Sequence, residues 1–192
     1  MPQFDLRGMK IAQYASANGA VTYTGVQTCG EAMTANLEMR FAEGRLYAES
    51  TLAEYMRKAI GGTISVGVKY IPDAAQQTLF GSATKSRTIG QTAVSGLVMG
   101  GKSTGKYVGF ACYSPDMVDG VEKYTCIFAK KCLFGPPSYT LQTAGESITF
   151  NTPTTSGEFL ADDTADKEIL EVATVDTEAN AMAWVNTVLG GS

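Results

Sequence analysis

Residues Gly96-Leu97-Val98-Met99-Gly100-Gly101-Lys102-Ser103 match G-x-x-x-x-G-K-[ST], the pattern of a phosphate-binding loop. In such a loop backbone amides wrap the phosphates, the lysine reaches the terminal ones and the hydroxyl holds Mg²⁺. The motif works only after a buried strand and at the start of a helix. Here Thr104-Gly105-Lys106-Tyr107-Val108-Gly109-Phe110 follows, with two glycines and β-prone residues, so a strand is expected and nucleotide binding is not. A second cluster is acidic. Glu158, Asp162, Asp163, Asp166, Glu168, Glu171, Asp176 and Glu178 stand against Lys167 alone, but without the D-x-D-x-D-G spacing of a calcium loop. They read as solvated acidic surface. Cys29, Cys112, Cys126 and Cys132 contain no C-x-x-C pair and read as reduced thiols within strands. The chain has no histidine, which removes the commonest general base and most zinc sites. No catalytic residue, metal ligand or cofactor is assigned.

The elements that would carry these residues are mostly strands. The chain has 192 residues, 44% hydrophobic and 18% charged, enough for one domain, 1–192, with its own core. Strands are expected at Met9–Ala15, Gly19–Thr24, Thr63–Ile71, Lys106–Tyr113, Val121–Phe134 and Ser147–Asn151, with further sheet at Glu158–Ala161 and Ile169–Val175. Leu37, Met39 and Phe41 alternate with polar neighbours, Ala42-Glu43-Gly44-Arg45 reads as a turn, and Leu46 and Ala48 resume the pattern. Ser50–Ile60 is read as mostly extended and ending at Gly61-Gly62. Asp119-Gly120 marks a hairpin turn. Val121–Phe134 carries apolar residues on both faces, which requires burial by two layers or by a core and a neighbouring subunit.

Two helices are expected. Asp73 caps a short one that Gly81 stops. The other is amphipathic and C-terminal, capped by Asp176 or Thr177, with Ala181, Met182, Val185, Val188 and Leu189 on its apolar face and Trp184 beside it. Residues 82–105 are rich in Gly, Ser and Thr and hold Lys85, Arg87 and Lys102 with no acid. They read as a functional loop or an extended hairpin arm. The elements do not alternate as βαβ units, so the expected fold is an antiparallel β-sandwich or barrel with flanking helices.

The net charge of −4 makes the chain a poor binder of nucleic acid through phosphates. The N-terminus lacks the pattern of a signal peptide and no apolar run reaches the length of a membrane helix, so a protein made in the cytoplasm is expected.

Several blocks, in their order and spacing, resemble the major tail proteins of long-tailed, non-contractile bacteriophages. Leu46-Tyr47-Ala48-Glu49-Ser50 with Leu52-Ala53-Glu54 is similar to an early "LYAD…LAE" block, though Ser50 stands where Asn is expected. Gly61-Gly62-Thr63-Ile64 opens the next strand, and Asp73–Gly81 is similar to a short helix ending in "LLG". Tyr107–Phe110, Lys123-Tyr124 and Lys130–Phe134 look like the following hairpin strands. Ser147–Pro153 with Gly157 looks like an "I.F.TPT..G" block, and Ala181–Val185 like a terminal "A..W" helix. The match spans about residues 10 to 189. The resemblance implies a β-sandwich subunit, six to a ring, with rings stacked into the virion's tail tube. DNA leaves through it, a tape-measure protein lies inside and a terminator closes one end.

On that basis Lys85, Arg87, Leu97, Val98, Met99, Lys102, Phe128 and Leu133 are candidate contacts between subunits or rings. Glu158, Asp162, Asp163, Asp166, Glu168 and Glu171 are candidates for an acidic surface that lines the lumen or on which the 82–105 arm of a neighbour docks. Competing expectations are another phage or injection-system tube or capsid component, a P-loop phosphotransferase whose nucleotide binding would be lost on Lys102→Ala, and a carbohydrate-binding sandwich for which Trp184 alone is thin support.

Overall fold

A computed structural model describes residues 5–143 and 151–191. Ten strands run antiparallel: β1 (Arg7–Ala17), β2 (Ala20–Thr28), β3 (Ala32–Ala48), β4 (Thr51–Val68), β5 (Ala83–Ile89), β6 (Thr92–Val98), β7 (Val108–Val118), β8 (Val121–Phe134), β9 (Thr154–Leu160) and β10 (Leu170–Val175). Helix α1 (Asp73–Phe80) follows β4, and α2 (Glu178–Val188) follows β10. Eight strands form one sheet in the order β2-β1-β7-β8-β9-β4-β3, with β10 also paired to β8. Strands β5 and β6 form a separate hairpin. The strand expected at Ser147–Asn151 falls almost wholly outside the described residues.

The sheet folds over itself. Met9 and Ile11 of β1 stand four strands from Ile64, Val66 and Val68 of β4, yet all five lie in one buried core with Phe110, Phe134 and Phe159. Residues Ala75, Leu79 and Phe80 of α1 join this core. The opposite face of β1, β7 and β8 is covered by α2. There Ala181, Val185 and Leu189 bury Ala12, Ala111, Tyr113, Cys126 and Phe128. The architecture is a mainly β, sandwich-like fold with a short internal helix and a C-terminal helix on its outer face.

Two-sided burial of β8 explains its apolar sequence. Cys126 and Phe128 point to α2, while Ala129, Cys132 and Phe134 point into the sandwich. Phe128 is therefore a core residue, in edge contact with Tyr23 at 5.2 Å, and not the subunit contact the sequence led us to expect. At Phe128 the covering helix leaves no room for a neighbour, although the strand's first residues, Val121 and Glu122, are exposed.

The helix ends differ in how they are closed. Thr177 is the N-cap of α2, its hydroxyl accepting the Asn180 N–H at 3.2 Å. Asp73 does not cap α1. Pro72 holds that position without a side-chain bond, and Asp73 is the first helical residue, where its charge faces the positive end of the helix dipole. Gly81 closes α1 in the left-handed conformation, as expected.

The largest departure from expectation is β3–β4. Ala42–Arg45 is not a turn but continues β3, paired residue by residue with Lys58 to Tyr55. The turn falls at Glu49-Ser50, both with positive φ. Gly61-Gly62 does not end β4 either. A Cβ on Gly62 would clash with the Glu38 carbonyl oxygen of β3 and with the Phe159 ring of β9, so glycine is what lets β4 lie closely between those two strands.

Replacing Gly62 by Ala is therefore expected to lower the urea midpoint, by about 1–3 kcal/mol of stability. Gly96→Ala, where nothing lies within 4 Å, leaves it unchanged. The four thiols give a second check. All are free and buried, and burial pushes Cys29 and Cys112 up to about 12 and Cys126 to about 11. A thiol reagent at neutral pH should label none in the native protein and all four after denaturation.

Candidate assembly surface

Beyond Gly61 the β3–β4 pair leaves the body of the protein. Strand β9 accompanies β4 only from Gly62 to Gly67, so Phe41–Ala48 and Thr51–Ala59 pair with each other alone. Eight residues per strand at the usual rise give an arm of about 25 Å. An isolated two-stranded ribbon is at best marginally stable in water. This one also exposes seven large apolar side chains, Phe41, Leu46, Tyr47, Leu52, Tyr55, Met56 and Ile60, from 39% to 73% of their surface. Scattered exposed apolar residues are ordinary; seven concentrated on one arm, spread over both of its faces, mark it as a candidate interaction element.

Local chemistry stiffens one face of the arm. Glu43 lies 3.5 Å from both Arg45 and Arg57, and the Arg57 guanidinium sits 3.8 Å from the centre of the Phe41 ring. The other face pairs Gly44 with Met56 and Leu46 with Glu54.

The 82–105 segment forms the β5–β6 hairpin and the turn after it. Its register puts Lys85, Arg87, Ile89, Val94 and Val98 on one face, around Gly96, where they line a trough of 230 Å³. Thr84, Ser86, Thr88, Ala93, Ser95 and Leu97 occupy the other face. Leu97 is half-buried, Met99 and Lys102 are exposed, and Leu133 is half-buried at the end of β8. At the phosphate-loop pattern, the Gly100 amide donates to Ser103 Oγ at 2.9 Å and the Ser103 amide to the Gly100 carbonyl at 2.9 Å. This is a closed turn, and strand β7 follows it where a phosphate loop needs a helix.

The acidic segment is not the free surface its composition implied. Asp162 is buried, and its Oδ1 accepts from the Thr164 amide and hydroxyl and from the Glu168 amide, closing its own loop. Lys130, with 14% of its side chain exposed, binds Glu168 at 2.6 Å and Glu171 at 3.1 Å. Lys131 binds both oxygens of Asp163, at 3.0 and 2.8 Å, and lies 5.1 and 5.0 Å from the Tyr14 and Tyr107 rings. Arg40 pairs with Glu158, Lys123 with Asp176 and Arg7 with Glu178. Asp166 alone of the eight carboxylates has neither an ion pair nor a backbone cap among the described residues. Strand pairing of β8 with β10 and β9 carries the lysines to the carboxylates.

Sequence reasoning thus located the cationic hairpin but missed the arm. The missed signal is that Leu37 to Ala48 holds no proline and only one glycine, Gly44, so nothing in it compels a turn. It was hidden because Glu49-Ser50 lacks the Asn-Gly or Asp-Gly chemistry that announces a two-residue turn.

No protein-family model matches the chain, and no curated protein matches it. Among the described residues no helix is long and apolar enough to cross a membrane.

Two ion-pair clusters make stability depend on acid. Hydrogen bonds from Lys131 and then Tyr14 hold the Asp163 carboxyl below its ordinary value of 3.8. Bonds from Arg7 and then Tyr113 hold Glu178 below 4.5. A carboxyl depressed by folding contributes stability that is complete above its unfolded value and lost as pH falls through the folded one. The thermal midpoint should therefore hold from neutral pH to about 5 and fall below 4.5, and Asp163→Asn should flatten part of that fall.

Proposed function

We propose that this chain is a structural subunit, not an enzyme, that assembles with copies of itself into stacked hexameric rings. These form the tail tube of a long-tailed, non-contractile bacteriophage. The observation that carries self-assembly is the β3–β4 arm, which pairs only with itself among the described residues and leaves Leu46, Tyr47, Leu52 and Met56 more than half exposed. Two sheet edges, β2 and β3, are also unpaired within the chain and can extend hydrogen bonding to another copy. The tail-tube identity and the ring number rest on the resemblance of the sequence blocks. One of those blocks, Leu46–Glu54, is the tip of this arm.

In this reading the net charge of −4 suits a conduit for DNA, since like charge prevents sticking. DNA passes through without specific binding. A tape-measure protein inside and a terminator at one end complete the assembly, which is made in the host cytoplasm and resides in the virion tail.

Negative-stain electron microscopy across protein concentration tests the proposal. The wild type should form rings or long hollow tubes. A Leu46→Ser, Leu52→Ser, Met56→Ser variant should remain monomeric with an unchanged unfolding midpoint. Tubes from the variant equal to the wild type's would remove the arm from the interface, and single rings or solid aggregates from the wild type would exclude a tube.

A further inference from the structure

The tip of the β3–β4 arm and the β5–β6 hairpin carry opposite charge, without ion-pair partners among the described residues, beside apolar surface. At the arm tip, Leu46 to Tyr55 contains Glu49 and Glu54 and no base, beside exposed Leu46, Tyr47, Leu52 and Tyr55. Glu54 stands directly across from Leu46 in the register. On the β5–β6 hairpin, residues 83–105 contain Lys85, Arg87 and Lys102 and no acid. Lys85 and Arg87 share the trough with Ile89, Val94 and Val98, which are 66%, 45% and 41% exposed. None of these five charges has an ion-pair partner among the described residues. Elsewhere the carboxylates of 158–178 are largely neutralised within the chain, which leaves the hairpin little acidic surface to meet there.

We infer that the arm tip of one copy docks in the Lys85–Arg87 trough on the β5–β6 hairpin of the next copy. Glu49 and Glu54 then face the two cations, and the tip's Leu and Tyr side chains cover Ile89, Val94 and Val98. This rests on the self-assembly proposed above and names the surfaces that perform it. The occupant is a second copy because the complementary patch belongs to the same sequence. Tip and trough are different surfaces, so the contact is heterologous: each subunit offers one of each, and the contact repeats into a ring or filament instead of stopping at a dimer. Exposed ion pairs are individually weak, so apolar cover supplies cohesion while charge selects the register.

Charge reversal tests this with a pattern no other interface predicts. E49K/E54K carries two positive surfaces and K85E/R87E two negative ones. Each alone should need about tenfold or more protein to assemble, because like charges then meet at every contact. An equimolar mixture of the two should assemble again, positive tip on negative trough alternating with negative tip on positive trough. The quadruple variant should assemble by itself. All variants should keep the wild-type unfolding midpoint, since the changed groups are exposed and unpaired; one that does not is replaced by E49Q/E54Q or K85Q/R87Q, which should weaken assembly in the same direction. Assembly is read by sedimentation and electron microscopy. Variants that assemble like the wild type overturn the docking while leaving self-assembly intact. So does loss of assembly that neither mixture nor quadruple variant rescues. A wild type that stays monomeric at every concentration overturns self-assembly itself, and the docking with it.

Discussion

Burial of β8 on both faces is the constraint from which the rest of the fold follows. Its outward side chains, Cys126 and Phe128, need a cover, and α2 provides it; its inward ones, Ala129, Cys132 and Phe134, need the folded-over sheet. The strand also changes partner along its length. Thr125, Cys126 and Phe128 pair with β10, whereas Lys131 to Phe134 pair with β9. One strand thereby joins the β1–β7 half of the sheet, the β4–β3 half and the strand leading to α2. Each buried side chain of β8 packs into one layer, but the strand they share carries both, so a shift of β8 disturbs the two together.

Charge is distributed by the same topology. Lys130 and Lys131 sit where β8 changes partner, and there they gather Glu168, Glu171 and Asp163. The acidic C-terminal third is thus consumed inside the subunit, tying the loop after β9 and strand β10 to the sheet. Two sets of charges without an ion pair among the described residues, Glu49 with Glu54 and Lys85 with Arg87, lie on the two hairpins that leave the body. A subunit that neutralises its core-side charges and leaves its protrusions charged directs electrostatics outward, where they choose partners more than they add stability.

Much of the fold was legible in the sequence because it depends on local rules. A β-prone run with apolar residues on both faces marked β8 at Val121–Phe134, and Asp119-Gly120 marked its hairpin turn. Gly81 and Thr177 marked helix ends because their chemistry is local. What depends on distant chain was not legible. Gly61-Gly62 reads as a stop until Phe159, almost a hundred residues away, explains the close approach. Asp162 reads as solvated until its carboxylate is seen to close the turn to Glu168. Phe128 reads equally as core or contact until α2 is placed over it. At the candidate site the composition of 82–105 exposed the cationic hairpin, while the arm hid behind an unusual Glu49-Ser50 turn.

The contrast between the β3–β4 arm and the body also sets an order of events. The arm joins residues close in sequence across a two-residue turn, so it can zip as soon as Thr51 to Ala59 are synthesised. The body cannot close until β7 and β8 meet β1, because Ile11 pairs with Phe110 about a hundred residues later. In the assembly proposed above, a newly made chain would therefore display its contact ribbon before it has a core to anchor it. Its productive folding competes with premature association, a competition that grows steeper with concentration and that ordered growth on an existing end relieves.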